Sequence, residues 1–291
     1  MKASDIGGLC LLAAAAAAMF IGGCAAPGRP RLPICPGRAS VDEALTALAA
    51  RAQHAVPFRG NGQILLTYHD PDSGKRKRHN LPMSFRFNPP WETYMQGSIA
   101  ADHRAVIMGS NEDGFWLALR PEEMSSYYLG EWAEARNIEG LMMSPKVVLE
   151  AFGIIQDREP NTGRWSLRNE GAFDILTERD EAGRLVKRVH VYACDYLVSK
   201  IEYFGSRQKV AAVAELGRYK PVAGGFRVPT RVVVSAIGPA KRTDSVDITL
   251  TSTDAWEVKP KQRDVFFNPP DPNKNKFENR YTLVDGQWIQ E

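Results

Sequence analysis

The second half of the chain repeats one event, and that repetition sets most of what it can become. Phe173–Arg179, Leu185–Tyr192, Leu197–Phe204, Val210–Leu216, Phe226–Val234 and Ser245–Thr251 are runs rich in β-branched and aromatic residues. Several alternate, as Val186, Arg188 and His190 do against Leu185, Lys187, Val189 and Val191. Between them lie turn formers: Asp180-Glu181-Ala182-Gly183, Cys194-Asp195, Gly205-Ser206 and Gly224-Gly225. A parallel pair needs a crossover of a dozen or more residues, so such short connections make neighbouring strands antiparallel. The expected class is mainly β with some helix (α+β), built as a long antiparallel meander.

The first half adds helices and more strands. Ser40 opens a helix: Glu43 stands three residues on as a capping box, and Val41, Ala44, Leu45, Leu48 and Ala52 recur at helical spacing until about His54. From Gly62 the period changes to two. Gln63–His69 and Leu81–Phe87 read as a hairpin around Asp70-Pro71-Asp72-Ser73-Gly74, with Lys75-Arg76-Lys77-Arg78-His79 at its tip. Those cations read as a solvated edge that discourages strand aggregation, with contact to anionic lipid as the alternative. Strands resume over Thr93–Ile99, Ala105–Gly109 and Phe115–Leu119. Glu122–Arg136 reads as loop plus short helix, and Ser144 to Gly153 as a capped helix with proline at its first position.

The N-terminus carries an apolar run, Leu9–Ile21, then Gly22-Gly23-Cys24 and a Pro/Gly/Arg-rich segment. A bilayer span needs about 20 apolar residues, so the run has the length of a signal-peptide core. Its basic n-region is weak, since Asp5 offsets Lys2. An aliphatic residue and two small ones before a cysteine resemble the lipobox of bacterial lipoproteins. The resemblance implies acylation of Cys24, and Ala25 after it implies sorting to the outer membrane, with the domain facing the periplasm. A plain secretory signal with a chance cysteine is the alternative. The expected organisation is a signal peptide over 1–23, a lipidated cysteine and flexible tether over 24–39, and a single domain over 40–291.

The chain has four cysteines. Cys10 leaves with the signal and Cys24 takes the lipid; Cys35 and Cys194 fit no metal motif. Export makes their pairing chemically permissible, but Cys35 lies in the tether, so two unpaired thiols are expected. A net charge of +3 is too weak a bias to point to nucleic acid. No glycine-rich phosphate loop, paired metal histidines or serine elbow is present, so no metal, cofactor or catalytic residue is expected. His69-Asp70 beside a turn, and His190 four residues before Cys194, are the nearest approach to a hydrolase, and a surface histidine is the plainer reading of His190.

Three stretches, in order, resemble the LolA/LolB superfamily of lipoprotein carriers and receptors. Phe85-Arg86-Phe87-Asn88-Pro89-Pro90 is similar to its sheet-entry motif, and Ser110 through Pro121, with Phe115-Trp116-Leu117, to its next hairpin. Val265-Phe266-Phe267-Asn268-Pro269-Pro270 is similar to its phenylalanine–proline ending. The segments 121–164 and 271–291 lie outside the resemblance. It implies an incomplete barrel wrapped around lid helices, with an apolar cavity suited to the acyl chains of lipids or lipoproteins. Candidate lining residues are Met83, Phe85, Phe87, Phe115, Trp116 and Leu117, although alternation sets Trp116 on the face opposite its neighbours. Membrane lipid bound through Cys24 and an envelope protein are the further expected partners. The competing expectation is a structural envelope scaffold whose interior is filled by side chains.

Overall fold

Hairpin turns do dictate the architecture. The computed structural model describes residues 32–70, 73–99, 102–120, 125–134, 150, 162–205, 207–237, 243–275 and 277–291. The signal, Cys24 and the 144–153 helix, Glu150 apart, lie outside these residues. Helix α1 (Val41–Gln53) is followed by β1 (Phe58–His69), β2 (Arg76–Asn88), β3 (Glu92–Ile99), β4 (Asp102–Ser110), β5 (Gly114–Leu119) and β6 (Ser126–Glu131). Then come β7 (Trp165–Glu170), β8 (Phe173–Arg179), β9 (Leu185–Tyr192), β10 (Leu197–Phe204) and β11 (Val210–Gly217). A small sheet of β12 (Lys220–Pro221) and β13 (Arg227–Val228) precedes β14 (Arg231–Ile237) and β15 (Thr243–Ala255). Short helices α2 (Pro260–Phe266) and α3 (Pro272–Asn275), then β16 (Asn279–Val284) and β17 (Gln287–Gln290), close the chain.

The large sheet has 15 strands in the order β17-β16-β6-β5-β4-β3-β2-β1-β15-β14-β11-β10-β9-β8-β7. Its end strands do not meet, so it is an incomplete barrel, as expected. Because consecutive strands reverse, turns fall alternately at two rims. The β1–β2, β8–β9 and β10–β11 turns share one rim; the β2–β3, β4–β5, β7–β8 and β9–β10 turns share the other. Two antiparallel pairs, β1 with β15 and β11 with β14, join non-consecutive strands, and one pair, β16 with β6, is parallel. The short-connection argument does not reach the parallel pair, because about half of the chain lies between its strands.

Helix α1 begins where expected. The Glu43 amide donates to Ser40 Oγ at 3.2 Å, while the Glu43 carboxylate accepts from the Ala39 amide at 3.1 Å. The return half of the box thus lands one residue early. The hydrogen bonds from Ala39 and Arg38 hold the Glu43 carboxyl below the usual range. Ala44, Leu48 and Ala52 form the buried stripe that faces the sheet.

Several expectations need correction. Residues 126–131 form a strand rather than loop and helix, because Tyr127 and Tyr128 each meet apolar neighbours on opposite faces and no polar alternation marks them. The run expected as one strand from Phe226 to Val234 is broken at Pro229, which has no amide to donate. The basic run at 75–79 lies mostly inside β2, paired with the end of β1, rather than at the tip. Strands β7, β16 and β17 had no counterpart in the sequence reading. Cys35 and Cys194 are not free thiols: they form a disulfide with S–S 2.05 Å. The expectation failed because this part of the tether is fixed. The Arg38 amide donates to Asp174 Oδ2 at 2.9 Å, Asn169 Nδ2 donates to the Arg38 carbonyl at 3.2 Å, and the Arg38 guanidinium lies 4.9 Å from the Tyr196 ring centre.

Both faces of β3–β6 are buried, and the segment from Trp256 to Phe277 covers the outer one. Trp116, Tyr94, Ile107 and Tyr127 pack there with Phe267 and Phe277. The Trp256 amide donates to the Pro57 carbonyl at 3.1 Å, Arg263 pairs with Glu92, and the Arg86 guanidinium sits 4.0 Å from the Phe266 ring centre. The Phe-Phe-Asn-Pro-Pro stretch is therefore part of a strap across the sheet, and it is followed by two more strands. Gly109 makes room for Trp116, the sheet side chain at the centre of the strap's seat. It lies opposite Trp116, and a Cβ there would come within 2.5 Å of Trp116 Cζ2 and 2.9 Å of the Thr93 carbonyl oxygen. Gly109→Ala is expected to lower stability by about 1–3 kcal/mol through overpacking, measured by urea unfolding.

Candidate apolar binding face

The inner face of the half-barrel is built from alternate residues of successive strands. One cross-strand row runs Leu176, Val189, Ile201, Ala214, Val234, Val246 and Leu66, from β8 to β1, each directly opposite the next. Every member is buried. A second row, Phe85, Met95, Met108, Leu117 and Tyr128, continues the surface from β2 to β6. The two belong to one apolar cluster, against which α1 presents Ala44 and Leu48. The regularity follows from the pleat: one alternation, kept in register over many antiparallel neighbours, points every second side chain the same way.

The candidate residues divide. Met83, Phe85, Phe87 and Leu117 lie in the inner cluster, with Phe85 and Phe87 tilted against Phe58 at ring-centre distances of 5.5 and 5.6 Å. Phe115 has the same parity but packs farther along, with Leu283, Trp132 and Trp288. Trp116 points to the outer face beneath the strap. A sheet covered on both faces thus accommodates the alternation that the sequence alone left in conflict. The signal that was missed lies in the tail: Trp256, Phe266, Phe267 and Phe277 are aromatic, yet belong to no run with strand or long-helix periodicity.

Polar groups gather where the aliphatic rows end, toward the β8–β9 rim. Glu178, Lys187 and Tyr203 stand in one cross-strand row, with Lys187 Nζ 3.3 Å from the Glu178 carboxylate and 5.5 Å from the Trp165 ring centre. The Tyr203 hydroxyl donates to Glu150 Oε2 at 3.0 Å, and burial first, then the Glu150 charge, pushes its pKa well up. On the outer face, Glu202 accepts from Arg188 at 3.0 Å and from His190 and Lys200 at 3.1 Å. Burial lowers the His190 pKa despite that carboxylate. Burial would raise the Glu202 pKa, but the bonds from His190 and Lys200 outweigh it and hold it low.

Among the described residues, neither histidine ring meets both a serine and a carboxylate as a hydrolase would need. His69 Nδ1 lies 2.7 Å from Asp244 Oδ1 on the sheet, and Cys194, tied in the disulfide, has no thiol to offer His190. Among the described residues, no group of three or more His, Cys, Asp or Glu side chains is arranged to hold a metal ion. An open trough of about 460 Å³ lies on the outer face, lined by Gln63, Leu65, Arg78, Asn80, Asp247 and Thr249. It is polar and faces away from the aliphatic rows.

No family model matches the sequence, and no curated protein matches it. Solved structures do. A putative outer membrane lipoprotein-sorting protein domain from Vibrio parahaemolyticus superposes with a TM-score of 0.53 at 9% identity, over 77% of this chain and 95% of that one. A DUF1329 family protein from Desulfovibrio piger gives 0.50 at 11% identity, over 77% and 96%. A LolA superfamily protein from Nitrosomonas europaea gives 0.47 at 13% identity, over 77% and 97%. At these identities the likeness is one of fold. The chain shares its fold with the lipoprotein-sorting domain and the DUF1329 family protein.

Proposed function

We propose that this chain is a lipid-anchored envelope protein that holds acyl chains, of a lipid or an acylated polypeptide, against the inner face of its half-barrel without catalysing a reaction. The supporting observation is the continuous apolar surface, aliphatic from β8 to β1 and carried on by Phe85, Met95, Met108, Leu117 and Tyr128 to β6, packed by an amphipathic helix. Such a surface is matched to hydrocarbon: each Å² removed from water is worth roughly 25 cal/mol, and rows of Val, Ile and Leu offer no polar atom to orient a reacting group. The name of the Vibrio relative, a lipoprotein-sorting domain, agrees with that chemistry. Anchoring through acylated Cys24 at the outer membrane, with Met83, Phe85, Phe87 and Leu117 lining the ligand, is the finer form of the proposal.

The test is to purify the protein under non-denaturing conditions, extract it with organic solvent and weigh the extract. Stoichiometric acyl lipid is expected, displaced by a fluorescent fatty acid. An empty extract, with no probe bound, would sink the proposal. A scaffold with a filled interior is the second reading, and one observation favours it: Phe85 and Phe87 are only 1% and 2% exposed, packed on each other's neighbours. In that case the extract is empty and the probe finds no site.

A further inference from the structure

Charge is not balanced at the rim that carries the β1–β2 and β10–β11 turns. Of the described acids near β1, Asp70 pairs with Lys77 at 2.5 Å and Asp244 is hydrogen-bonded to His69 at 2.7 Å. The exposed side chains of Lys75, Arg76, Arg78, Arg207 and Lys209 have no hydrogen-bond or ion-pair partner among the described residues. The pleat divides the basic run. Lys77 and His79 turn to the inner side, where they meet Asp70 and Tyr68. Arg76 and Arg78 stand on the outer face, and Arg78 forms one wall of the polar trough. From β2 to β10 the free cations span five strand spacings, about 24 Å.

We propose that this basic rim docks an acidic face of a partner protein and is held away from the membrane that carries the anchor. The inference rests on the reading of Cys24 as the lipid-attachment residue. Its geometry comes from the disulfide. Cys194 lies in the β9–β10 turn, at the opposite rim, so the tether joins the domain at Cys35 there rather than at Ser40. The stretch from Cys24 to Cys35 is about 11 residues, which can reach at most roughly 34 Å at polyproline extension. Strand β1 has 12 residues, about 40 Å, and the usual barrel tilt leaves about 30 Å between rims. Placing the basic rim on the anchoring bilayer would stretch the tether almost to its limit. A tether running free to Ser40 would reach about 50 Å and impose no such choice. The anionic group that meets these arginines therefore belongs to a separate body. A patch of this width is the size of one side of an ordinary protein interface, about 800 Å².

The experiment uses the full lipidated chain in phosphatidylcholine vesicles, with a fluorescein-labelled octaglutamate peptide as probe and anisotropy as readout. Binding is expected to weaken steeply between about 50 and 200 mM salt, as for exposed charges. Arg76→Glu with Arg78→Glu is expected to weaken it about tenfold or more. Both side chains are exposed, so the variant should keep its melting temperature, which is measured alongside. Lys220→Glu, at the opposite rim, and replacement of a quarter of the lipid by phosphatidylglycerol are each expected to leave the affinity within about twofold. No binding at low salt, equal weakening by Lys220→Glu, or loss of binding on the anionic vesicles would each overturn the inference. Failure of the anchor reading shows separately: the chain would not float with vesicles and its N-terminal peptide would carry no acyl mass, while peptide binding in solution would still report on the rim.

Discussion

Reducing the Cys35–Cys194 disulfide is expected to destabilise the domain by about 4–5 kcal/mol. The bond closes a loop of sequence separation 159. Chain entropy lost by the unfolded state grows with the logarithm of loop length, and a closure of this size is worth about 5 kcal/mol. For a domain this large, that is a fall in melting temperature of roughly 10–15 °C. The native contacts around the bond add to the effect. Asp174 is fully buried and accepts from the Arg38 amide and from Asn169 Nδ2 at 2.7 Å. If residues 34–39 come away, that carboxylate loses a charge-assisted bond inside the protein. Calorimetry with and without reductant measures the difference, and the Cys35→Ser, Cys194→Ser double variant should melt with the reduced protein. Two free thiols in the untreated protein, or superimposed melts, would show that the bond does not form.

This bond also marks where sequence reasoning stopped. A stretch with four prolines and no periodicity between residues 25 and 38 has the composition of a solvated linker, and composition records nothing about a partner 159 positions away. Local signals fared better. The Ser40 cap, most turn residues and the alternation of β8–β11 were legible because each depends on neighbours within a few positions. Alternation is visible only where one face is wet, however. In β5 and β6 both faces are covered, so Phe115-Trp116-Leu117 and Tyr127-Tyr128 lose the polar–apolar rhythm that marks a strand. The parallel seating of β16 on β6 was beyond reach for a related reason. Its register is set by long-range contact, including Tyr128 stacked on Tyr281 at 4.7 Å. The inner rows were half legible: parity assigned Met83, Phe85, Phe87 and Leu117 to one surface, but only the closing of the sheet shows that Phe115 packs with Leu283 at its far end.

Trp116→Ala is expected to lower stability by about 3–5 kcal/mol and to loosen the strap, because this one side chain fills the space between sheet and tail. It is 1% exposed, sits against Gly109 and shares its cluster with Phe267 and Phe277. Removing it opens the apolar seat beneath α2, whose other holds include the Tyr94 ring 5.2 Å from Phe266, Asn111 Nδ2 donating to the Phe267 carbonyl at 3.2 Å, the Arg263–Glu92 pair and the Arg86 contact with Phe266. Arg263 is exposed, and a pair that water can reach adds little to stability. Trypsin should then cut the folded variant at Lys261 or Arg263 faster than the wild type, with products identified by mass. Two controls separate packing from general destabilisation. Trp116→Phe should cost only about 1 kcal/mol, since the buried indole N–H has no partner among the described residues and its loss breaks no bond. Phe85→Ala should cost about as much as Trp116→Ala, from the opposite face, without exposing the strap. If Phe85→Ala opened the same tryptic sites in the native state, the two faces would not be independent, and the strap would be held by the sheet as a whole rather than by the cluster around Trp116.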